Sequence, residues 1–130
     1  MLKFIDTTTV TRFESPLDLG ETKTVFLIAP LNSQEVQVIN DATISIKVVA
    51  GKESIDLKQT LRNRLFVQCG LRGWENAGKE FATELRSILG LPKKEIVKED
   101  LLNSIPVDFV NSIGERIAEL SVSTGVAEKN

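Results

Sequence analysis

With 130 residues, 42% of them hydrophobic and 26% charged, the chain has the make-up of one ordinary folded domain, and its apolar content excludes a wholly disordered protein. A balance of 16 basic against 18 acidic side chains leaves a net charge of −2, so no overall field draws it to a polyanion and nucleic acid is not an expected partner. One cysteine, Cys69, and no histidine exclude an internal disulfide and the usual zinc and haem ligand sets, so no metal or other cofactor is expected.

The opening stretch "MLKFIDTTTV" interrupts its apolar residues with polar ones, which gives no signal-peptide core. No apolar run approaches the roughly 20 residues that cross a bilayer. The expectation is a soluble cytoplasmic protein without membrane contact. In "TVTRFESPLDLGETKTVFLIAP", the turn formers of "SPLDLGE" separate Val10 and Phe13 from the β-branched and aromatic run "KTVFLI", which predicts a hairpin from Thr9 to Ala29 closed by Pro30.

Next comes a helix start. Asn32 stands three residues before Glu35, a capping-box spacing, and Leu31 before the cap is placed to pack on Val36. A helix from Ser33 to about Asn40 follows, either a lid on the sheet or a partner-facing edge. In "ATISIKVVAGKESIDLKQ", Ile44, Ile46 and Val48 alternate with Ser45 and Lys47 as in a strand, and "AGKE" turns the chain into "SIDL". Leu57, Leu61, Leu65 and Cys69 recur every four residues, which favours one helical stripe, although "LFVQC" also reads as a strand.

"LRGWENAGKEF" carries the only tryptophan, Trp74, between two glycines. Its ring either closes the core, with the indole N–H on a backbone acceptor, or anchors a protein partner. Beyond it, Phe81, Leu85, Ile88 and Leu89 fit a helical face stopped by Gly90 and Pro92. "KEDLLNSI" gives one or two further helical turns, and Pro106 opens a last helix from Val107 to Leu120. Its apolar stripe is Val110, Ile113, Ile117 and Leu120, with Asp108, Asn111, Glu115, Arg116 and Glu119 facing away. That stripe lies on the chain's own sheet or in a partner's groove. The expected fold is α+β, a small N-terminal antiparallel sheet with a helical C-terminal part, as one domain over 1–121 and a flexible tail over 122–130.

Catalytic chemistry is hard to find. Cys69 has no activating base and sits on an apolar stripe, as an inert core thiol does. Glu99–Asp100 and Glu53–Asp56 are acidic pairs of the kind found at helix starts and solvated faces. Gly70, Gly73 and Gly78 match neither a dinucleotide fingerprint nor a P-loop, and Arg62, Arg64 and Arg72 lack the aromatic rings that stack bases. A non-enzyme is expected.

Four stretches, "KTVFLIAPLNSQEVQVIND", "CGLRGWEN", "VKEDLLNSIPVDFVNSIGERIAEL" and the final "AEKN", resemble in order and spacing the small tail assembly chaperones and tail accessory proteins of tailed bacteriophages and prophages. The resemblance implies an early sheet, a helical C-terminal part, no cofactor, and work done in the host cytoplasm by binding tail proteins. The tape measure protein, kept soluble, and tail-tube subunits are the partners it implies. Between Trp74 and Val97 the chain departs from the family, reading as longer and more helical than a short glycine-containing link. Trp74, Phe81, Phe109, Ile113 and Ile117 are the residues expected at a protein interface. A structural virion subunit of tail, tube or connector, assembling in rings, is the alternative from a different class.

Overall fold

The computed structural model describes residues 3–122, apart from the side chains at positions 47, 55 and 56. In chain order the elements are β1 (Thr11–Phe13), β2 (Val25–Ile28), α1 (Ser33–Thr43), β3 (Ile44–Val49), β4 (Lys52–Leu57), α2 (Gln59–Gly70), β5 (Leu71–Glu75), β6 (Thr83–Arg86), β7 (Lys94–Val97), α3 (Glu99–Asn103) and α4 (Val107–Leu120). The fold is α+β. From residue 123 onward the expected tail, with its "AEKN", lies outside the described residues.

The hairpin expected between Thr9 and Ala29 is formed by β1 and β2, which pair antiparallel with Phe13 opposite Phe26. Its third strand arrives late: β5 joins the free edge of β2, giving the order β1-β2-β5, with Trp74 opposite Phe26. The Ala29 N–H donates to the Gly70 carbonyl at 2.9 Å, so the end of β2 is fastened to the end of α2. Arg12 and Glu75 form a two-pronged ion pair between the outer strands, at 2.7 and 3.0 Å.

The capping box forms as its spacing predicts. Asn32 Oδ1 accepts from the Glu35 N–H at 2.8 Å, and Glu35 Oε1 accepts from the Asn32 N–H at 3.0 Å. Helix α1 runs beyond Asn40 to Thr43 and passes without a loop into β3. A turn with left-handed φ at Ala50 (53°) and Gly51 (78°) reverses the chain into β4, with Ile46 opposite Ile55 in the register.

Helix α2 is the centre of the molecule. Leu57 belongs to β4 and Leu61 is 42% exposed, so the expected four-residue stripe holds only at Leu65 and Cys69. Asn63, Phe66, Val67 and Gln68 are buried as well, because α2 is covered on several sides by α1, α4, β5 and β7. A helix enclosed in this way has no single apolar face for periodicity to reveal.

Helix α4 packs chiefly on α2, the most extensive contact between any two elements, and not chiefly on the sheet. Val110, Ile113, Gly114 and Ile117 are its buried residues, whereas Leu120 stays half-buried at the rim of the core. Gly114 permits the approach: a Cβ there would lie 2.5 Å from the Asn63 carbonyl oxygen. Asn111, expected to face away, is turned toward α2 and accepts from Asn63 Nδ2 at 3.2 Å, while Asn63 Oδ1 accepts from Gln59 Nε2. The buried Asn63 needs partners, and Asn111 on the neighbouring helix supplies one.

The segment after Trp74 overturns the expectation of a helix. Residues 83–97 form a second hairpin, β6 with β7, in the register Thr83–Val97 to Arg86–Lys94. Leu89 and Gly90 both take left-handed φ, 52° and 79°, and the Leu91 N–H closes the turn on the Ile88 carbonyl. Two left-handed residues in succession reverse the chain within the connection between the strands and cannot continue a helix. Burial of Ile96 and Val97 anchors β7 to the core, while Leu85 is left 60% exposed. The stretch departing from the family resemblance is therefore strand, not helix.

Candidate functional site

The largest concentration of aromatic side chains surrounds Trp74. Cross-strand pairing sets Trp74 beside the buried Phe26, and the Phe81 ring meets the indole edge-on with centroids 5.0 Å apart. Chain reversal after β5, with left-handed φ at Asn76 (59°) and Gly78 (74°), returns the Lys79 carbonyl to the indole, and Trp74 Nε1 donates to it at 2.7 Å. The expected backbone acceptor is thus present, and the ring is half-buried.

One face of this cluster is open. A groove of about 380 Å³ runs between Phe26 and Trp74 on one side and Leu101, Ile105, Pro106 and Phe109, at the α3–α4 corner, on the other. Its rim is ordered by hydrogen bonds. Asp18 accepts from the Gly20 N–H at 3.0 Å and from the Thr24 N–H at 2.9 Å. These bonds, the Thr24 one first, hold its carboxyl below the ordinary value, with Lys23 assisting. Thr24 Oγ1 donates to the Asn76 carbonyl, and Lys79 Nζ donates to Ser104 Oγ at 3.2 Å, which ties the reversal to the helical corner.

The groove suits apolar groups better than reaction chemistry. Ser104 beside Lys79 is its one nucleophile-and-amine pair, but the serine hydroxyl donates to the Asp100 carbonyl and accepts a hydrogen bond from the lysine ammonium, the reverse of activation. Cys69 is buried elsewhere, and burial pushes its thiol up to about 11. Glu99 and Asp100 open α3, where Glu99 lies 3.5 Å from Arg86 and 4.0 Å from Arg64. Glu53 is exposed on β4, and the side chain of Asp56 lies outside the description. Among the described residues no group of three or more His, Cys, Asp or Glu could hold a metal. The arginines go to different places: Arg62 stacks on Phe66 and donates to Asn40, Arg64 donates to Asn103, and Arg72 to the Cys69 carbonyl.

Of the five residues expected at an interface, Trp74 and Phe109 line the groove and Phe81 backs the indole. Ile113 and Ile117 do not join them. Both are 0% exposed, packed into the α2–α4 contact, where a partner cannot reach them. Phe26, Leu101, Ile105 and Pro106 complete the groove without having been singled out by sequence, since only the folded chain brings β2 against the α3–α4 corner. Among the described residues, no helix is long and apolar enough to cross a membrane. No protein-family model, curated protein or solved structure matches this chain, so the resemblance to phage tail proteins stands on its sequence stretches alone.

Proposed function

We propose that this protein is a tail assembly chaperone or tail accessory protein of a bacteriophage or prophage, a non-enzyme that works in the host cytoplasm by binding tail polypeptides. The supporting observation is the open aromatic groove between Phe26, Trp74 and Phe109. Trp74 and Phe109 are half-buried, and the indole is held by its own hydrogen bond; rigid rings of this kind present apolar area at low entropic cost and commonly anchor protein interfaces. Its apolar lining suits the apolar face of a helix, the structure a tape measure protein offers along its length. Polar rim groups at Asp18, Thr24, Lys79 and Ser104 are placed to fix orientation.

Co-expression with the tape measure and tail-tube proteins encoded alongside it tests the reading. The protein is expected to raise their soluble recovery and to co-purify with one of them, and Phe109→Ala is expected to reduce both effects with the fold retained. Unchanged recovery of both tail proteins would remove the chaperone role.

A structural subunit of tail, tube or connector is the second reading, favoured by the exposed apolar residues on the β3–β4 hairpin. Protein analysis of purified particles separates the two. A chaperone is missing from mature virions, whereas a structural subunit is present in fixed stoichiometry.

A further inference from the structure

One side chain joins the two walls of the aromatic groove. Lys79 stands on the Trp74 wall, where its carbonyl accepts from the indole N–H, and Ser104 stands on the opposite wall, between Leu101 and Ile105 in the chain. The hydrogen bond from Lys79 Nζ to Ser104 Oγ, at 3.2 Å, therefore crosses the groove. It does so at the mouth. Lys79 and Ser104 are both exposed, whereas Phe26 beneath them is buried and Trp74, Leu101, Ile105 and Phe109 are half-buried.

Both ends of this crossing are fixed, and its middle is free. The reversal that carries Lys79 is pinned by the indole on the Lys79 carbonyl, by Thr24 Oγ1 on the Asn76 carbonyl and by Asn76 Nδ2 on the Lys23 carbonyl. Ser104 is held by its hydroxyl on the Asp100 carbonyl and its N–H on the Leu101 carbonyl. Between them lies a lysine stem, apolar along its length and charged only at the tip, which suits it to cover apolar surface with its head in water. The head is weakly held. Ser104 is a neutral acceptor, and among the described residues no carboxylate lies within ion-pair distance of Lys79.

We infer that the Lys79 side chain is a strap across the mouth of the groove, fastened to Ser104 in the free protein and released when the apolar face of a helix enters. This rests on the groove being the binding surface proposed above. Fastened, the strap competes with the occupant. Released, its ammonium stays at the rim, where it is free to meet a carboxylate of the partner. A strap of this kind shields the aromatic rings from small apolar contacts and yields to a partner whose burial outweighs one hydrogen bond.

Acrylamide quenching of Trp74, the only tryptophan, reads the mouth directly in the full chain. Lys79→Ala and Ser104→Ala are each expected to raise the quenching constant, and to raise the affinity for the neutral apolar dye Nile red about two- to ten-fold, the range that one side-chain hydrogen bond represents. Ser104→Asp gives the ammonium an ionised acceptor. It is expected to lower both, with the effect removed at about 1 M salt, where the screening length is ~3 Å. That reversal by salt separates a strap from altered packing of the α3–α4 corner. Lys79 is exposed, so its alanine variant keeps the inference testable should a substitution at Ser104 disturb α3. Quenching or dye affinity unchanged in Lys79→Ala, or a folded Ser104→Asp protein that quenches like the parent at low salt, overturns the inference. No tail protein is present in these experiments, so the strap and the chaperone role can each fail without the other.

Discussion

Gly114→Ala sets two effects of opposite sign against each other. In a helix interior, alanine is favoured over glycine by about 1 kcal/mol, so local propensity alone makes the substitution stabilising. The new Cβ, however, would lie 2.5 Å from the carbonyl oxygen of Asn63 and 2.7 Å from its Cα, against an ordinary contact of 3.4 Å or more. Backbone of a central helix cannot step aside by changing rotamer. Helices α2 and α4 must separate by about 1 Å, and a gap of that size forfeits a quarter to a half of the dispersion energy of each contact it opens. Ile113 and Ile117, both fully buried beside the site, lose packing with it. Overpacking costs about 1–3 kcal/mol, and a clash with backbone atoms, which cannot repack, belongs in the upper half of that range, about 2–3 kcal/mol, which outweighs the propensity gain. Thermal and urea unfolding should show a net loss of about 1–2 kcal/mol, a fall in Tm of roughly 4–8 °C. A Gly114→Ala protein as stable as the parent, or more so, would refute the close packing of the two helices.

Stability at alkaline pH should carry the signature of Cys69. Its folded value of about 11 stands above the ordinary 9.0, so the folded state keeps the thiol proton longer and stability falls as pH rises from 9 to 11. Replacing it with alanine should flatten that part of the pH profile by roughly 3 kcal/mol, and a parallel decline in both proteins would contradict the burial of the thiol. Lys94→Met should destabilise by about 3 kcal/mol at pH 7 in urea melts, because it strands the Glu35 carboxylate, 8% exposed and 2.7 Å from the Lys94 ammonium. Its companion Glu35→Gln/Lys94→Met should recover much of the loss. Ala50→Asn places Asn-Gly at a turn whose two residues both need left-handed φ, and should slow hydrogen exchange in β3 and β4 several-fold. Faster exchange there would argue against that turn.

Local chemistry was most legible where one or two neighbours decide the structure. Asn32 and Glu35 fix the start of α1 through bonds within four residues, Pro106 fixes the start of α4, and both positions follow from sequence spacing. Phe81, Leu85, Ile88 and Leu89 misled because four apolar residues at helical intervals do not record what they pack against. The hairpin there depends on the left-handed pair Leu89–Gly90 and on Ile96 and Val97 reaching the core. A similar limit applied to Ile113 and Ile117, whose stripe was visible but whose cover, α2, was not. Half of the groove was foreseeable. Trp74 and Phe109 stand out by size, whereas Phe26, Leu101 and Ile105 acquire their place through long-range contact. Alternation likewise disclosed β3, yet the exposure of Ile46 and Val48 is a property of the assembled chain.

Trp74 is the chain's only tryptophan and lines the groove, so fluorine NMR of protein grown with 5-fluorotryptophan gives one resonance reporting on that surface. Under the proposed function, titration with an unlabelled tape measure or tail-tube protein is predicted to shift the resonance to saturation, and the Phe109→Ala variant to need a higher partner concentration for the same change. A resonance that stays fixed while the two proteins demonstrably co-purify would contradict the assignment of the groove as the binding surface.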